Sequence, residues 1–489
     1  MQSSPVENSK NVEKTDFILK IIKFSIPSWV GFFINIVSVV IITRYFLPDA
    51  YGLINTFNAS STLIMGLVCL GLDSGFIRYF FELPEGFDRN RLFLISILIP
   101  FLILLVLSAA LLAIASTRLS IFIFGVDNFF LMILLFGNVI SLLFIRFMTI
   151  YYRMEGNTFL YAILSITMQL ALKGSLVFAA LVKPEYEFAI LSSVIAMISM
   201  VVAFLFFTGR TLFPSRKTYS IAEIRSLKQL FIYSLYTWPI PILLYFNTLA
   251  TLIIIRIKLG NEAVGIFASV SVFVGVIAVL QAGFSTFWSG YMFENYKTQV
   301  LRITRMHDYI SFFIIVLMAC FVLFRDVMFL LLGAKYQASK PFFALLLLYP
   351  LLLILSETTS YGISIAKKTN VLFITTFLSI LLNLGIIWLL VPFWGLLGAC
   401  FGSGVSAFVF FAAQSYFAQK HYRSIEHVGR TVFTVFSVVV LALGNLFFNN
   451  SFFGLTVLSI TSLLFAGFVY RKEIFQIISF PKEIISDAI

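Results

Sequence analysis

The chain is poor in charged residues, and the residue types that build disulfides and metal sites are scarce. Only 11% of its 489 residues are Asp, Glu, Lys or Arg, against about 25% in a soluble domain. All three cysteines lie within apolar runs, and we assign all three histidines to polar loops. These shortages exclude a soluble globular domain, a disulfide framework and a metal cluster.

Long polar segments are also missing between the apolar runs. The longest loops that we predict, around 209–229 and 289–310, hold about twenty residues each. A hydrophobic core needs at least ~40 residues even when disulfides or metal ions stabilise it, so neither loop can fold as a separate domain. We therefore expect the protein to act within the bilayer.

Apolar residues dominate what is present, at 60% of the chain with a mean hydropathy of +1.02. A helix needs about 20 apolar residues to cross a hydrocarbon core of ~30 Å, and such runs follow one another along the sequence. We predict an all-α polytopic membrane protein with about fourteen transmembrane helices. The predicted spans are 24–46, 53–77, 92–115, 122–148, 158–182, 186–208, 230–257, 264–288, 311–331, 342–366, 370–391, 395–418, 431–448 and 452–470.

Lysine and arginine predict the orientation of these spans, because positively charged loops stay in the cytoplasm. An amino terminus on the inside places 25 of the 34 lysines and arginines on the cytoplasmic side. We therefore predict that both termini are cytoplasmic. The net charge of +12 follows from this bias, so no nucleic-acid partner is needed to explain it.

Two stretches of the sequence repeat the same landmarks. The first is "PSWVGFFINIVSVVIITRYFLPDAYG", from residue 27, and the second is "PIPILLYFNTLATLIIIRIKLGNEAVG", from residue 239, so their starts are 212 residues apart. Six predicted helices separate equivalent points, and an even number makes the repeats parallel. The residues matched at this offset are Pro27 and Pro239, Asn35 and Asn247, Arg44 and Arg256, and Gly71 and Gly283.

The repeat predicts two six-helix lobes. We assign 1–208 to an amino-terminal lobe, 209–229 to a basic cytoplasmic linker, 230–418 to a carboxy-terminal lobe, and 419–489 to two further helices and a cytoplasmic tail. Two such lobes suit alternating access, in which a central cavity opens to one side and then to the other. A duplicated scaffold without moving parts is the alternative.

Three stretches carry a resemblance to a known family. They read "RYFLPDAYGLINTF" and "CLGLDSGFIRYF" in the first half and "KLGNEAVGIFASV" in the second. Together with fourteen spans, they resemble the polysaccharide biosynthesis, or O-antigen-type oligosaccharide flippase, family. This family belongs to the multidrug/oligosaccharidyl-lipid/polysaccharide exporter superfamily, and the resemblance covers helices 1 to 12.

The resemblance implies a transporter, not an enzyme. It would move an undecaprenyl-pyrophosphate-linked oligosaccharide repeat unit from the cytoplasmic to the periplasmic leaflet of a bacterial inner membrane, for O-antigen, capsule or another surface polysaccharide. Its partners would be this lipid-linked oligosaccharide, the bilayer, a polysaccharide polymerase and a chain-length regulator. No cofactor is expected, and coupling of transport to a proton or sodium gradient is left open.

Two other functions remain open. The first is a cation-coupled exporter of drugs or other lipids from the same superfamily, although such an exporter would normally have twelve spans and a less basic cavity. The second is a membrane-embedded glycosyltransferase or polymerase. That enzyme needs a cluster of carboxylates or histidines in a large loop, and no predicted loop is large enough.

Five residues are candidates for binding a pyrophosphate, since arginine offers phosphate a fork of donors and lysine a point charge. Lys173 lies near the middle of the fifth predicted span, and Gln169 lies one turn earlier on the same face. Arg44 and Arg256 lie at the outer ends of the first and seventh spans, and Arg146 lies in the fourth. Snorkelling, interfacial anchoring and the positive-inside bias are the alternatives.

Three further residues are candidates for gating or ion coupling. Glu357 is the deepest acid of the sequence, about ten residues before Lys367, and buried acids in transporters commonly titrate or bind cations. Its alternative role is that of a carboxylate held by neighbouring Ser and Thr hydroxyls. Asp73 and Arg78 would form an ion pair at the inner end of the second span. Trp288 and Trp394, near span ends, are interpreted as interfacial belt residues.

Overall fold

The computed structural model describes residues 26–82 except residue 28, residues 89–212 and residues 221–476. In these ranges the chain forms helices and no strand. We label twenty α-helices; a short helical segment over residues 471–476 follows them. They are α1 Trp29–Tyr45, α2 Pro48–Cys69, α3 Leu72–Tyr79, α4 Arg89–Ile114, α5 Ser116–Phe124, α6 Phe129–Glu155, α7 Thr158–Val182, α8 Tyr186–Leu212, α9 Ile221–Thr237, α10 Pro239–Leu259, α11 Asn261–Ser269, α12 Ser271–Asn295, α13 Val300–Leu323, α14 Arg325–Leu331, α15 Phe343–Thr359, α16 Tyr361–Ile365, α17 Thr369–Trp394, α18 Leu396–Gln419, α19 Val428–Phe447 and α20 Phe452–Val469.

The predicted fold class is confirmed. Within the described residues, twelve helices are long and apolar enough to cross a membrane, and two shorter apolar helices, α1 and α15, complete a set of fourteen. Each of the fourteen falls on one predicted span, in the same order along the chain. The protein is therefore a multi-pass, all-α membrane protein.

Several predicted spans contain a break that the sequence did not reveal. The predicted span 53–77 divides into α2 and α3 because Leu70 and Gly71 adopt left-handed conformations, with φ of 48° and 72°. A Cβ at Gly71 would lie 2.2 Å from the backbone oxygen of Ser234 in α9. This close approach of two backbones requires a residue without a side chain.

A second break divides the predicted span 230–257 into the end of α9 and α10. Trp238 lies between the two helices, and Pro239 opens α10, where its missing N–H leaves no hydrogen bond unmade. The indole Nε1 of Trp238 donates to the backbone oxygen of Gly66 in α2, at 3.0 Å. The break therefore lies where α9 and α10 meet the end of α2.

The chain divides into two compact units, residues 1–249 and 250–489. In the first unit α6 packs against α2, α4 and α8, and α3 packs against α9. In the second unit α15 packs against α12, α13 and α18, while α19 and α20 pack against α13. The six-helix lobes with boundaries at 208 and 230 stay a prediction, and residues 213–220 of the proposed linker lie outside the described residues.

Helix α6 is the core helix of the first unit, and its ends are well defined. The side chain of Asn128 accepts from the backbone N–H of Leu131 at 3.1 Å and caps the first turn. Gly156 ends the helix in a left-handed conformation, with φ of 80°. Inside the unit, Asn138 of α6 donates to the Ser61 hydroxyl of α2 at 2.9 Å. These contacts fix where the polar face of α6 lies.

Candidate functional site

A cavity of about 360 Å³ lies between α2, α6 and α7 in the first unit. Arg146, Thr149 and Arg153 of α6 line it, at positions i, i+3 and i+7, which fall on one face of a helix. Thr62 of α2 and Tyr161 of α7 line the opposite walls. Its volume falls within the range of small-molecule sites, roughly 300–1,000 Å³. We call it the arginine cavity.

Arg146 forms an ion pair with Asp73 of α3. Its Nη2 and Nε donate to the same carboxylate oxygen, Oδ2, at 2.8 and 3.3 Å. The other carboxylate oxygen, Oδ1, accepts from the backbone N–H of Ser74 at 2.9 Å. The two side chains are 46% and 19% exposed. The pair also borders a second, smaller cavity of about 90 Å³.

The predicted pairing of Asp73 with Arg78 is therefore wrong. Arg78 instead pairs with Glu82, one turn further along the chain, at 3.1 Å, and both side chains are about half exposed. Both residues lie on α3, as the sequence predicted. Asp73, however, lies in the first turn of α3 and meets α6, whereas Arg78 lies in its last turn. The contact between α3 and α6 is a tertiary one, which local spacing does not predict.

Two groups in the arginine cavity have no partner among the described residues. Arg153 is exposed and forms no ion pair there. The Thr149 hydroxyl oxygen is buried and has no hydrogen-bond partner there. Two guanidinium groups line the cavity, and one of them is paired with a carboxylate, that of Asp73, so the local charge is positive. Such a site suits an anion with several oxygen acceptors.

Lys173 and Gln169 lie on α7, around a π-helical turn over Leu170–Gly174. The Lys173 side chain is half-buried and forms no ion pair with the described residues. Gln169 packs against Gly31 of α1, where an added Cβ would lie 3.1 Å from its Cγ. Single π-turns inside α-helices are frequent at functional sites. The polar stripe of Gln169 and Lys173 stays a prediction.

Arg44 and Arg256 occupy matched positions in the repeat but differ in environment. Arg44 is exposed near the end of α1, whereas Arg256 is half-buried in the last turn of α10. Two residues after Arg256, the Lys258 ammonium group lies 4.1 Å from the centre of the Trp388 ring. The carboxy-terminal end of α10 thus carries two cations, and one of them is held by a cation–π contact.

Glu357 of α15 is half-buried and accepts a hydrogen bond from the side-chain amide of Gln281 in α12, at 2.9 Å. The alternative in which neighbouring hydroxyls hold this carboxylate is wrong for the threonines. Thr358 donates to the backbone oxygen of Leu355, and Thr359 contacts the Ser415 hydroxyl, both at 2.7 Å. Gln281 was missed because it lies on a different helix.

Two residues assigned to loops or to the interface lie in the core. His307 is 1% exposed inside α13, and its two ring nitrogens contact Thr358 and Thr431, both at 2.8 Å. Trp288 is fully buried and stacks on Phe284 at 5.5 Å, so it is not a belt residue. Trp394, by contrast, is 50% exposed, as expected for an interfacial residue.

No family model matches the chain, and no curated protein matches it in sequence. Solved structures do match. The lipid II flippase MurJ in an inward closed conformation has a TM-score of 0.67 and 15% identity, over 93% of this chain and 100% of its own. The multidrug transporter DinF-BH, of the MATE family, has a TM-score of 0.57 and 15% identity, over 82% and 95%.

A third match is an inward-facing MATE transporter of the MOP superfamily, with a TM-score of 0.53 and 16% identity, over 82% of this chain and 98% of its own. At these identities the likeness establishes the fold. The chain has the fold that lipid II flippases and MATE transporters share.

Proposed function

We propose that the protein is a flippase that moves an undecaprenyl-pyrophosphate-linked oligosaccharide across the bacterial inner membrane by alternating access, for surface polysaccharide synthesis. The observation that carries this proposal is the arginine cavity, with Arg146 and Arg153 on one face of α6, in a chain with the fold of a lipid II flippase. A polymerase and a chain-length regulator would use the product at the outer leaflet.

The chemistry of the substrate explains why cations inside the protein are needed. A pyrophosphate cannot enter hydrocarbon unless nearby cations compensate its negative charge. Cations within a span are costly, so those that are present commonly mark a substrate pathway. Arg146 and Arg153 would receive the pyrophosphate on the cytoplasmic side, and Gln169 and Lys173 would meet it further along. Arg44 and Arg256 would release it at the outer side. Glu357 would couple transport to a proton or sodium gradient.

The same residues disfavour an organic cation as substrate. Arg153 and Lys173 form no ion pair with the described residues, so each would repel a positively charged drug. The matches differ in extent as well. The flippase match covers 93% of this chain, whereas the MATE matches cover 82%, so the flippase fold accounts for more of its helices. A multidrug exporter is therefore the second candidate.

Transport by the purified full chain in liposomes tests the proposal. The liposomes hold a fluorescent undecaprenyl-diphosphate sugar, and a membrane-impermeant quencher reports how much of it reaches the inner leaflet. We expect the protein to accelerate this movement and to leave uptake of rhodamine 6G at the level of empty liposomes. Uptake of rhodamine 6G without movement of the lipid-linked sugar would favour the multidrug exporter and overturn the proposal.

A further inference from the structure

We propose that Asp73 is a built-in competitor for the ligand of the arginine cavity. A diphosphate would bind between Arg146, Thr149 and Arg153, and its oxygens would take the Arg146 guanidinium away from the Asp73 carboxylate. This inference deepens the proposed function and rests on it for the identity of the ligand as a lipid-linked diphosphate. Three observations carry it: the geometry of the α6 face, the buried Thr149 hydroxyl and the exposure of the ion pair.

The α6 face presents three donors to one volume. Arg146 and Arg153 are seven residues apart, which is about two turns and roughly 10 Å along the axis. Both line the arginine cavity, and Thr149 lies between them on the same face. Two long side chains that flank a hydroxyl can approach a diphosphate from both ends, while the hydroxyl donates to its middle. The spacing thus suits two linked phosphates better than a single small anion.

The Thr149 hydroxyl is the second observation. Its oxygen is buried and has no hydrogen-bond partner among the described residues. Buried polar groups in proteins are nearly always satisfied, and each exception calls for an explanation. A phosphate oxygen in the arginine cavity would accept from this hydroxyl. Thr149 therefore marks the place in the cavity where we expect the ligand to lie.

The ion pair that the ligand must break is a weak one. Arg146 is 46% exposed and Asp73 is 19% exposed, and ion pairs with such access to water contribute little stability. A diphosphate carries more than one negative charge and offers Arg146 two oxygens at once, whereas both Arg146 donors now meet Oδ2 of Asp73. The ligand should therefore win the competition without a large penalty.

Helix α3 carries Asp73 and is held in the core by its other contacts. Its contact with α9 is tight, because a Cβ at Gly75 would lie 2.1 Å from the Ser234 hydroxyl oxygen. Its contact with α6 has an apolar part, since Phe76 packs against Tyr151 of α6 with ring centroids 6.5 Å apart, and an electrostatic part, the ion pair of Asp73. When the ligand takes Arg146, α3 should keep its packing on α9 and α6, and only the Asp73 carboxylate should move away. Cys69, at the end of α2, lines the small cavity beside the pair and can report this change.

Binding of geranylgeranyl diphosphate to the purified full chain tests the competition. Asp73→Asn removes the competitor and should tighten binding by several-fold. Arg153→Gln should weaken it about tenfold, the loss expected for one charge-assisted hydrogen bond, and Thr149→Val should weaken it less. Arg118→Gln, at an exposed arginine of α5, is the matched control and should change nothing. Unchanged or weaker binding by Asp73→Asn would overturn the proposal, because general damage to the fold cannot strengthen binding.

Competing ligands identify the source of the phosphate. Inorganic pyrophosphate should displace geranylgeranyl diphosphate in the wild-type chain, and phosphatidylglycerol vesicles should displace it poorly. Displacement by phosphatidylglycerol alone would overturn the proposal, since the cavity would then bind a phospholipid headgroup with a single negative charge.

Labelling of Cys69 tests the displacement itself. In the variant Cys320→Ser/Cys400→Ala, Cys69 is the remaining cysteine, and a thiol reagent should react with it several-fold faster when geranylgeranyl diphosphate is bound. The added Arg153→Gln change should abolish the increase at the same ligand concentration. Equal rates with and without bound ligand would overturn the displacement.

The two proposals fail in different ways. Suppose that the wild-type chain moves the lipid-linked sugar but the Asp73 and Arg153 variants bind diphosphate as the wild type does. The role of Asp73 as a competitor is then refuted, and the proposed flippase function is retained. If diphosphate binding changes among the variants as expected but no lipid moves in liposomes, the diphosphate site is retained and the proposed flippase function is refuted.

Discussion

The two halves of the sequence place opposite charges at nearly the same point of the repeat. At the offset of 212 residues, Glu357 of α15 corresponds to Ile145 of α6, the neighbour of Arg146. In the first unit Arg146 reaches Asp73, just past α2, and in the second unit Glu357 accepts from Gln281 of α12. Both contacts join corresponding parts of the predicted repeat, but the α6 residue is a cation and the α15 residue is an acid.

From this difference we propose that the two units divide two tasks between them. A cation with a displaceable partner suits an anionic ligand, while an acid held by a neutral amide suits a proton or a metal cation. We therefore assign the substrate to the first unit and the coupling ion to the second. The predictions below test this division, from the largest expected effect to the smallest.

Reversing the charge in the first unit should have the largest effect. Arg146→Glu places a carboxylate beside Asp73, where like charges repel, and removes one end of the phosphate site. We expect transport in liposomes to fall by at least about tenfold, the loss expected for one charge-assisted hydrogen bond to the phosphate. Arg118→Glu is the control and should keep normal transport. Near-normal transport by Arg146→Glu would remove the first unit from the substrate pathway.

Neutralising the acid in the second unit should come next. Glu357→Gln keeps the shape of the side chain and its contact with Gln281 but cannot bind a proton or a cation in the same way. We expect transport to become insensitive to an imposed proton or sodium gradient, while diphosphate binding stays unchanged. Glu262→Gln, at an exposed acid of α11, should retain the response. Gradient-driven transport by Glu357→Gln would contradict the assignment.

Removing the mid-span lysine of the first unit should have a moderate effect. Lys173→Ala takes away one of several cations along the route, so we expect transport to fall about three- to fivefold, with membrane insertion intact. Lys183→Ala is the matched control, because Lys183 lies in an exposed loop and pairs with Glu185 at 2.8 Å. Equal transport by the two variants would show that Lys173 only snorkels.

Arg44 and Arg256, which are matched in the predicted repeat, should give the smallest and most informative difference. Arg256 is half-buried and Arg44 is exposed, so their alanine variants should differ although their repeat positions agree. We expect Arg256→Ala to lower delivery of surface polysaccharide about twofold and Arg44→Ala to lower it less. The opposite order would show that burial does not identify the arginine that meets the substrate.

The number and order of the spans could be predicted because membrane helices are specified locally, by the length and polarity of each run. The breaks could not, since they depend on other helices: Gly71 meets the backbone of Ser234, and Trp238 meets Gly66. His307 was misassigned for the same reason. Its polarity indicated a loop, but Thr358 and Thr431 satisfy both ring nitrogens inside the core.

The candidate site was predictable in part. Arg146 was a candidate from the sequence, but Arg153 and Thr149 were not among the candidates. The spacing of 146, 149 and 153 on one face of α6 could have joined them. The partner of Arg146 could not have been found, because Asp73 approaches from α3 and sequence spacing favoured Arg78.

A structure of the full chain with bound undecaprenyl diphosphate tests the central claim most directly, through the distances around Arg146. We predict phosphate oxygens within ~3 Å of the Arg146 and Arg153 guanidinium groups, the usual length of a charge-assisted hydrogen bond, with Asp73 separated from Arg146. An intact Asp73–Arg146 contact at 2.8 Å, with the diphosphate bound elsewhere, would contradict it.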